Sequence, residues 1–141
     1  MKTLLKQLLA LAVIVGGFWA FTAWPRIHEV ETGKTPEYPD LAPHDYGASL
    51  ESVAKSVKKV MGEQSRWELT GEAKGPAGID LQAVHTMPLG LLKEDVTVRL
   101  RREKGRTLVG VRSKSRHSLG DFGQNARNIR ELLSALDREV F

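Results

Sequence analysis

Cysteine is missing from the 141 residues. Its absence removes disulfides, thiolate-bound zinc, iron–sulfur clusters and cysteine nucleophiles from consideration. The compartment stays open, because a cysteine-free chain suits either redox environment. A large excess of one charge is missing too: 21 Lys and Arg stand against 17 Asp and Glu. A net +4 is too mild to imply nucleic acid, and few aromatics interleave the basic residues. The four histidines, His28, His44, His85 and His117, show no metal-ligand spacing. There is no phosphate-binding P-loop, no dinucleotide fingerprint and no Gly-x-Ser-x-Gly elbow. No metal, no cofactor and no nucleic-acid partner is therefore expected, and no catalytic residue is assigned. The length suits one domain rather than two.

Uncharged runs are scarce with one exception. From Leu8 to Trp24 the chain reads LLALAVIVGGFWAFTAW, seventeen residues without a charge. As a helix this spans about 26 Å, and Leu4 and Leu5 extend it by a turn toward the ~30 Å hydrocarbon core. Phe18, Trp19, Phe21 and Trp24 crowd its C-terminal end, where amphipathic rings favour the interface. A signal peptide would need small residues two apart before a cut, yet Phe21 and Phe18 occupy those positions for cuts after Ala23 and Ala20. Residues 1–24 are thus expected to be an uncleaved transmembrane anchor. Lys2 and Lys6 flank one side, and Arg26, His28, Glu29 and Glu31 the other. The positive side stays in the cytoplasm. The expectation is a single-pass inner-membrane protein with a cytoplasmic N-terminus and its C-terminal domain outside.

Residues 25–48 hold Pro25, Pro36, Pro39 and Pro43 and read as an extended, proline-rich tether, with Tyr38, Leu41 and Tyr46 able to pin parts of it down. The globular domain is expected over 49–141. Ser49 is placed to cap a helix in which Leu50, Val53, Ala54, Val57, Val60 and Met61 form one stripe, with Lys55, Lys58 and Lys59 opposite and Gly62 at the end. Strand patterns follow. Trp67 and Leu69 alternate with polar neighbours, a turn is expected over Gly71–Gly78, and Ile79, Leu81 and Ala83 alternate again. Met87–Leu92, with Pro88 and Gly90, should bend.

Lys104-Gly105 suits a two-residue hairpin turn. Counting outward sets Leu100 opposite Val109, Val98 opposite Val111 and Val96 opposite Ser113, and a slip of one residue would expose every valine. A last amphipathic helix carries Ala126, Ile129, Leu132, Leu133, Leu136 and Val140. The order helix, four strands, helix predicts an α+β fold: a two-layer sandwich of a four-stranded antiparallel sheet with two helices on one face.

Charge is unevenly spread along this domain. Residues 93–116 hold nine Lys or Arg against three acids, whereas 25–92 are net acidic. By the hairpin register, Arg99, Arg101, Arg112 and Lys114 share the outer sheet face. They serve either as a solvated, aggregation-resistant surface or as a site for an anion or lipid headgroup. The junction after the last strand brings Ser113, Ser115, Arg116, His117, Ser118, Asp121 and Asn125 to a helix N-terminus, where backbone N–H groups attract anions or where Asp121 caps the helix and the serines satisfy a turn. The candidate ligand-binding set is Arg99, Arg101, Arg112, Ser113, Ser115, Arg116, Asp121 and Asn125. Two other readings stand beside it: a hydrolase using the 113–121 loop, which needs His117 within reach of Ser113, Ser115 or Ser118, and a structural partner in an envelope complex, which needs an exposed apolar patch. Anionic lipid or an envelope protein is the expected partner.

The string Glu94-Asp95-Val96-x-Val98-Arg99, then Val111-Arg112-Ser113-x-Ser115-Arg116 and Asp121-x-Gly123-x-Asn125-Ala126-x-x-Ile129-Arg130, resembles the domain-of-unknown-function family 1499. Thr35-Pro36-x-Tyr38-Pro39-Asp40-Leu41-x-Pro43 looks like the lead-in of a proteobacterial branch of it. The resemblance covers roughly residues 35–137. It implies a small, often membrane-associated or exported domain, and supplies no mechanism.

Overall fold

The apolar run near the N-terminus is helical in the computed structural model of the protein, which describes residues 1–23, 26–117 and 120–141. Trp24, Pro25, Ser118 and Leu119 lie outside the described residues. Helix α1 spans Lys2–Ala23, 22 residues, none of them buried. At about 1.5 Å per residue it is some 33 Å long, enough to cross a membrane, a measure that a signal sequence also meets.

Helix α2 (Leu50–Gly62) begins as its sequence directs. Ser49 is extended at φ -69°, ψ 160°, and its hydroxyl accepts from the Ser52 N–H at 3.2 Å. Val53, Ala54, Val57, Val60 and Met61 are buried. Helix α3 (Gln124–Val140) buries Ala126, Ile129, Leu132, Leu133 and Leu136 on the expected stripe, together with Asn125 and Asn128. Gly123, left-handed at φ 77°, precedes it, and Asp121 reaches forward to accept from the N–H groups of Gly123 (2.8 Å) and Asn125 (3.1 Å). The aspartate thus satisfies the first turn from two residues upstream of the cap position.

Six strands, not four, make up one antiparallel sheet. In chain order they are β1 (Glu29–Glu31), β2 (His44–Tyr46), β3 (Trp67–Gly75), β4 (Gly78–Thr86), β5 (Lys93–Glu103) and β6 (Arg106–Ser115). Strands β3 to β6 form a meander, and β1 and β2 both pair with the free edge of β6. The hairpin register is the expected one, Leu100 with Val109, Val98 with Val111 and Val96 with Ser113. Lys104 (φ 48°) and Gly105 (φ 80°) both take the positive φ that its turn demands.

Two expectations need correction. Strand β3 runs on to Gly75, so the turn before β4 is confined to Pro76 and Ala77 rather than spread over 71–78; Glu72, Ala73 and Lys74 pair with Leu81, Asp80 and Ile79. More consequentially, the proline-rich segment is no free tether over its described part. It supplies β1 and β2, buries Val30 and Tyr46 completely, and adds Leu41 to the core. The edge of β6 otherwise presents unpaired backbone groups, and two three-residue strands satisfy them. Strands this short carry no readable alternation.

One core joins sheet and helices. Leu81, Val98, Val111, Val57, Ile129 and Leu136 all belong to it. Helix α2 contacts β3, β4 and β5, while α3 contacts β6 and β1. The opposite sheet face carries Arg99, Arg112 and their neighbours.

Candidate functional site

On the outer face each arginine of the candidate set meets a carboxylate. Arg112 holds Glu29 in a bidentate pair, Nε to Oε1 at 2.5 Å and Nη2 to Oε2 at 2.8 Å. Arg99 donates to Glu31 at 2.7 Å, Arg101 to Asp80 at 2.6 Å, and Arg116 to Asp95 through two nitrogens. The Arg112 guanidinium holds the Glu29 carboxyl below its ordinary value, and Glu29 in turn raises Arg112. Asp95 raises Arg116 in the same way. These four cations are thus largely neutralised by the protein itself. Sequence reasoning missed the partners of Arg112 and Arg99 because Glu29 and Glu31 arrive on β1, 83 and 68 residues away in the chain.

The remaining residues of the candidate set lie on the other side of the sheet, in the interior. Ser113 donates to Asn125 Oδ1 at 2.6 Å, and Asn125 Nδ2 donates to Ser115 Oγ at 2.9 Å and to the His28 carbonyl at 3.1 Å. Asp121 accepts from the helix start as described. The eight candidate residues therefore form two groups, one on each sheet face, and not one concavity. The serines are occupied in holding the N-terminus of α3. Among the described residues neither ring nitrogen of His117 has a hydrogen-bond partner, so it reaches neither Ser113 nor Ser115, and Ser118 lies outside them.

Ser113 and Ser115 belong to a larger buried polar system. Antiparallel pairing aligns Trp67, His85, Glu94 and Ser115 as one cross-strand row on the core face. His85 Nδ1 lies 2.8 Å from Glu94 Oε2, and both side chains are buried. The same oxygen accepts from Asn128 Nδ2 at 3.5 Å, and Asn128 also reaches Ser113 at 3.4 Å. With Oε2 as the acceptor for both, His85 carries its proton on Nδ1, and Nε2 is left over. His85 lines a cleft of about 360 Å³ with Gln64, Arg66, Trp67, Gln124 and Glu131. The indole edge meets the imidazole in a T-shaped contact at 5.2 Å. Trp67 Nε1 and Gln64 Oε1, both in the cleft wall, are buried without a hydrogen-bond partner among the described residues, as is Glu94 Oε1. Among the described residues no group of three metal-ligating side chains occurs.

The site was half legible. Centring a hairpin on the Met87–Leu92 bend sets His85 opposite Glu94, the same counting that worked for β5 and β6. Asn128, Gln64 and the cleft required the helices.

Five of the residues that the resemblance rests on, Glu94, Ser113, Ser115, Asp121 and Asn125, thus converge at one end of the core. Residues 21–136 match the family described as protein of unknown function, DUF1499. The chain belongs to the DUF1499 family. The match starts upstream of residue 35, so it takes in β1 and the end of α1, in keeping with the part β1 plays in the DUF1499 sheet. No curated protein matches the chain.

Proposed function

We propose that this DUF1499 chain is a single-pass inner-membrane protein that presents an extracytoplasmic binding or accessory domain, a two-layer sandwich held against the anionic lipid surface by the end nearest its anchor. One observation carries this reading: the most exposed leucines of the domain sit at the end where the anchor joins. Leu89 and Leu91 are 90% and 78% exposed in the connection between β4 and β5. Leu89 has φ 74°, a left-handed conformation that costs a non-glycine residue roughly 1 kcal/mol and holds its side chain off the domain. That connection neighbours the anchor's exit. Arg116 bonds Lys93 through the backbone, Ser115 bonds His28, and Asp121 bonds Ile27. Arg26 is three residues beyond Ala23, so covalent geometry keeps their Cα atoms within about 11 Å.

Phe122, half exposed, lies beside Ile27 on the same end, with Arg26, Lys93 and Arg127 exposed around it. Apolar side chains that enter the interface and cations that approach anionic headgroups act together there. Each cation is worth about 1 kcal/mol, and each buried leucine up to about 2 kcal/mol. The arginine face lends less support, because its guanidiniums are already held by carboxylates.

The absence of cysteine makes the test direct. A single Leu89→Cys, labelled with a polarity-sensitive fluorophore in nanodiscs containing anionic lipid, should report an apolar surrounding. Lys55→Cys on α2 should report water, and should react with a membrane-impermeant maleimide from outside the cell. Docking should vanish with Leu91→Ser and persist when Arg99, Arg101 and Arg112 are reversed in charge. Identical spectra at positions 89 and 55 would refute the docking, and protection of position 55 in intact cells would refute the orientation. A mature N-terminus near residue 24 would refute the anchor.

A further inference from the structure

We infer that the cleft beside His85 is a binding site for a small cationic, hydroxyl-bearing ligand, of the class of amino sugars and amino alcohols. Three independent features point to it. The first is size: about 360 Å³ falls at the lower end of the range for small-molecule pockets and suits a ligand of monosaccharide dimensions.

The second is unmet hydrogen bonding. Trp67 is 7% exposed, and its indole Nε1–H has no acceptor among the described residues, although a buried indole N–H ordinarily finds one. Gln64 Oε1, also in the wall, has no donor among the described residues. His85 engages Glu94 through Nδ1, which leaves Nε2 as its unused ring nitrogen in the cleft lining. Trp67 Nε1 and Gln64 Oε1 are both shielded from water, so a ligand hydroxyl, which both donates and accepts, answers the indole and a neighbouring acceptor once the wall opens to admit it. By contrast the Gln124 side chain is already used, donating to Asn128 at 2.7 Å and accepting from Arg127 at 3.0 Å. The unused groups are thus confined to the Trp67, Gln64 and His85 wall.

Charge is the third feature. Glu63 and Glu131 line the cleft against Arg66, and the Glu94 carboxylate stands behind His85. Two acids against one cation in the lining favour a cationic ligand over phosphate or carboxylate. Glu131 lies on α3 and is exposed, so its charge is available at the rim. This site is separate from the membrane-docking loop and stands whether or not Leu89 and Leu91 enter lipid.

The experiment uses the full-length, ¹⁵N-labelled chain in detergent micelles, titrated into the millimolar range with glucosamine, glucose and glucose 6-phosphate in parallel. Glucosamine should shift the Trp67 indole N–H resonance saturably and leave that of Trp19, on α1, in place. Glucose should bind more weakly, and glucose 6-phosphate weakest of all. Glu131→Gln removes one rim charge without touching the core and should weaken glucosamine about threefold, the worth of one exposed ion pair. His85→Gln should weaken it about tenfold, with retention of the native amide spectrum as the fold control. No movement of the Trp67 resonance with glucosamine would overturn the inference. So would tighter binding of glucose 6-phosphate, or an unchanged affinity in Glu131→Gln.

Discussion

The Tyr46 hydroxyl donates to Asp137 Oδ1 at 2.6 Å, tying β2 to the last turns of α3 across 91 residues of chain. His44 Nδ1 meets the same oxygen at 3.0 Å. Burial pushes the Tyr46 phenol well above its usual value of 10, and its bond to Asp137 adds to the shift. For Asp137, burial would raise the carboxyl, but the hydrogen bonds from Tyr46 and His44 outweigh it and hold the group below its usual 3.8.

Stability should depend on pH at both ends through this pair. The Tyr46 contribution is complete below pH 10, the unfolded value, and is lost as pH climbs toward the raised folded value, because only the unfolded chain then gives up its proton. The Asp137 contribution is present above the ordinary carboxylate range and is lost as pH falls through the lowered folded value. Tyr46→Phe should cost about 1 kcal/mol at neutral pH and remove most of the alkaline loss. Urea midpoints of both proteins across pH provide the measurement. Parallel alkaline losses in wild type and variant would show that another group is responsible.

A chain starting at residue 49 should fail to fold. It lacks β1 and β2, exposes the edge of β6, and empties the core of Val30, Leu41 and Tyr46. Removing one large buried side chain costs about 2–5 kcal/mol, and a small domain has only about 5–15 in total. A chain starting at residue 26 should keep cooperative thermal unfolding. A folded 49–141 fragment, seen by dispersed amide resonances, would restore the reading of 25–48 as a mere tether.

Glu94→Ala should be more damaging than Glu94→Gln. The alanine leaves His85 and Asn128 without their shared acceptor inside the core, at a cost of about 3 kcal/mol. Glutamine keeps the shape and one acceptor oxygen, and should cost about 1 kcal/mol. Denaturant midpoints decide between this and a passive role for the carboxylate, in which the two substitutions would cost the same.

Val98→Asp should unfold the domain, since Val98 is fully buried and an unpaired carboxylate there costs several kcal/mol, of the order of the whole stability. Arg101→Ala should cost no more than about 1 kcal/mol, because its pair with Asp80 is one-third exposed. Circular dichroism on thermal ramps separates the two. Equal losses would contradict the assignment of faces.

The sequence by itself determined whatever local periodicity and short-range geometry control. The stripe from Val53 to Met61 needs no partner to be read, because 3.6-residue spacing puts those side chains on one side. The Lys104-Gly105 turn fixes the pairing of β5 with β6, because two residues at positive φ leave one register that buries all the valines. The apolar stretch of α1 is legible for the same reason: composition alone sets its length. Tertiary structure decided which distant groups meet. Glu29 and Glu31 neutralise Arg112 and Arg99 only because the edge of β6 recruits a three-residue strand from a proline-rich segment, and strands that short leave no pattern. The same holds for the cleft. His85, Glu94 and Asn128 come from two strands and a helix, and their hydrogen bonds follow from how α3 seats its N-terminal half over the sheet. Ser113, Ser115 and Asn125 looked like a ligand site in sequence. The fold turned them inward, where buried polar atoms must find partners in one another.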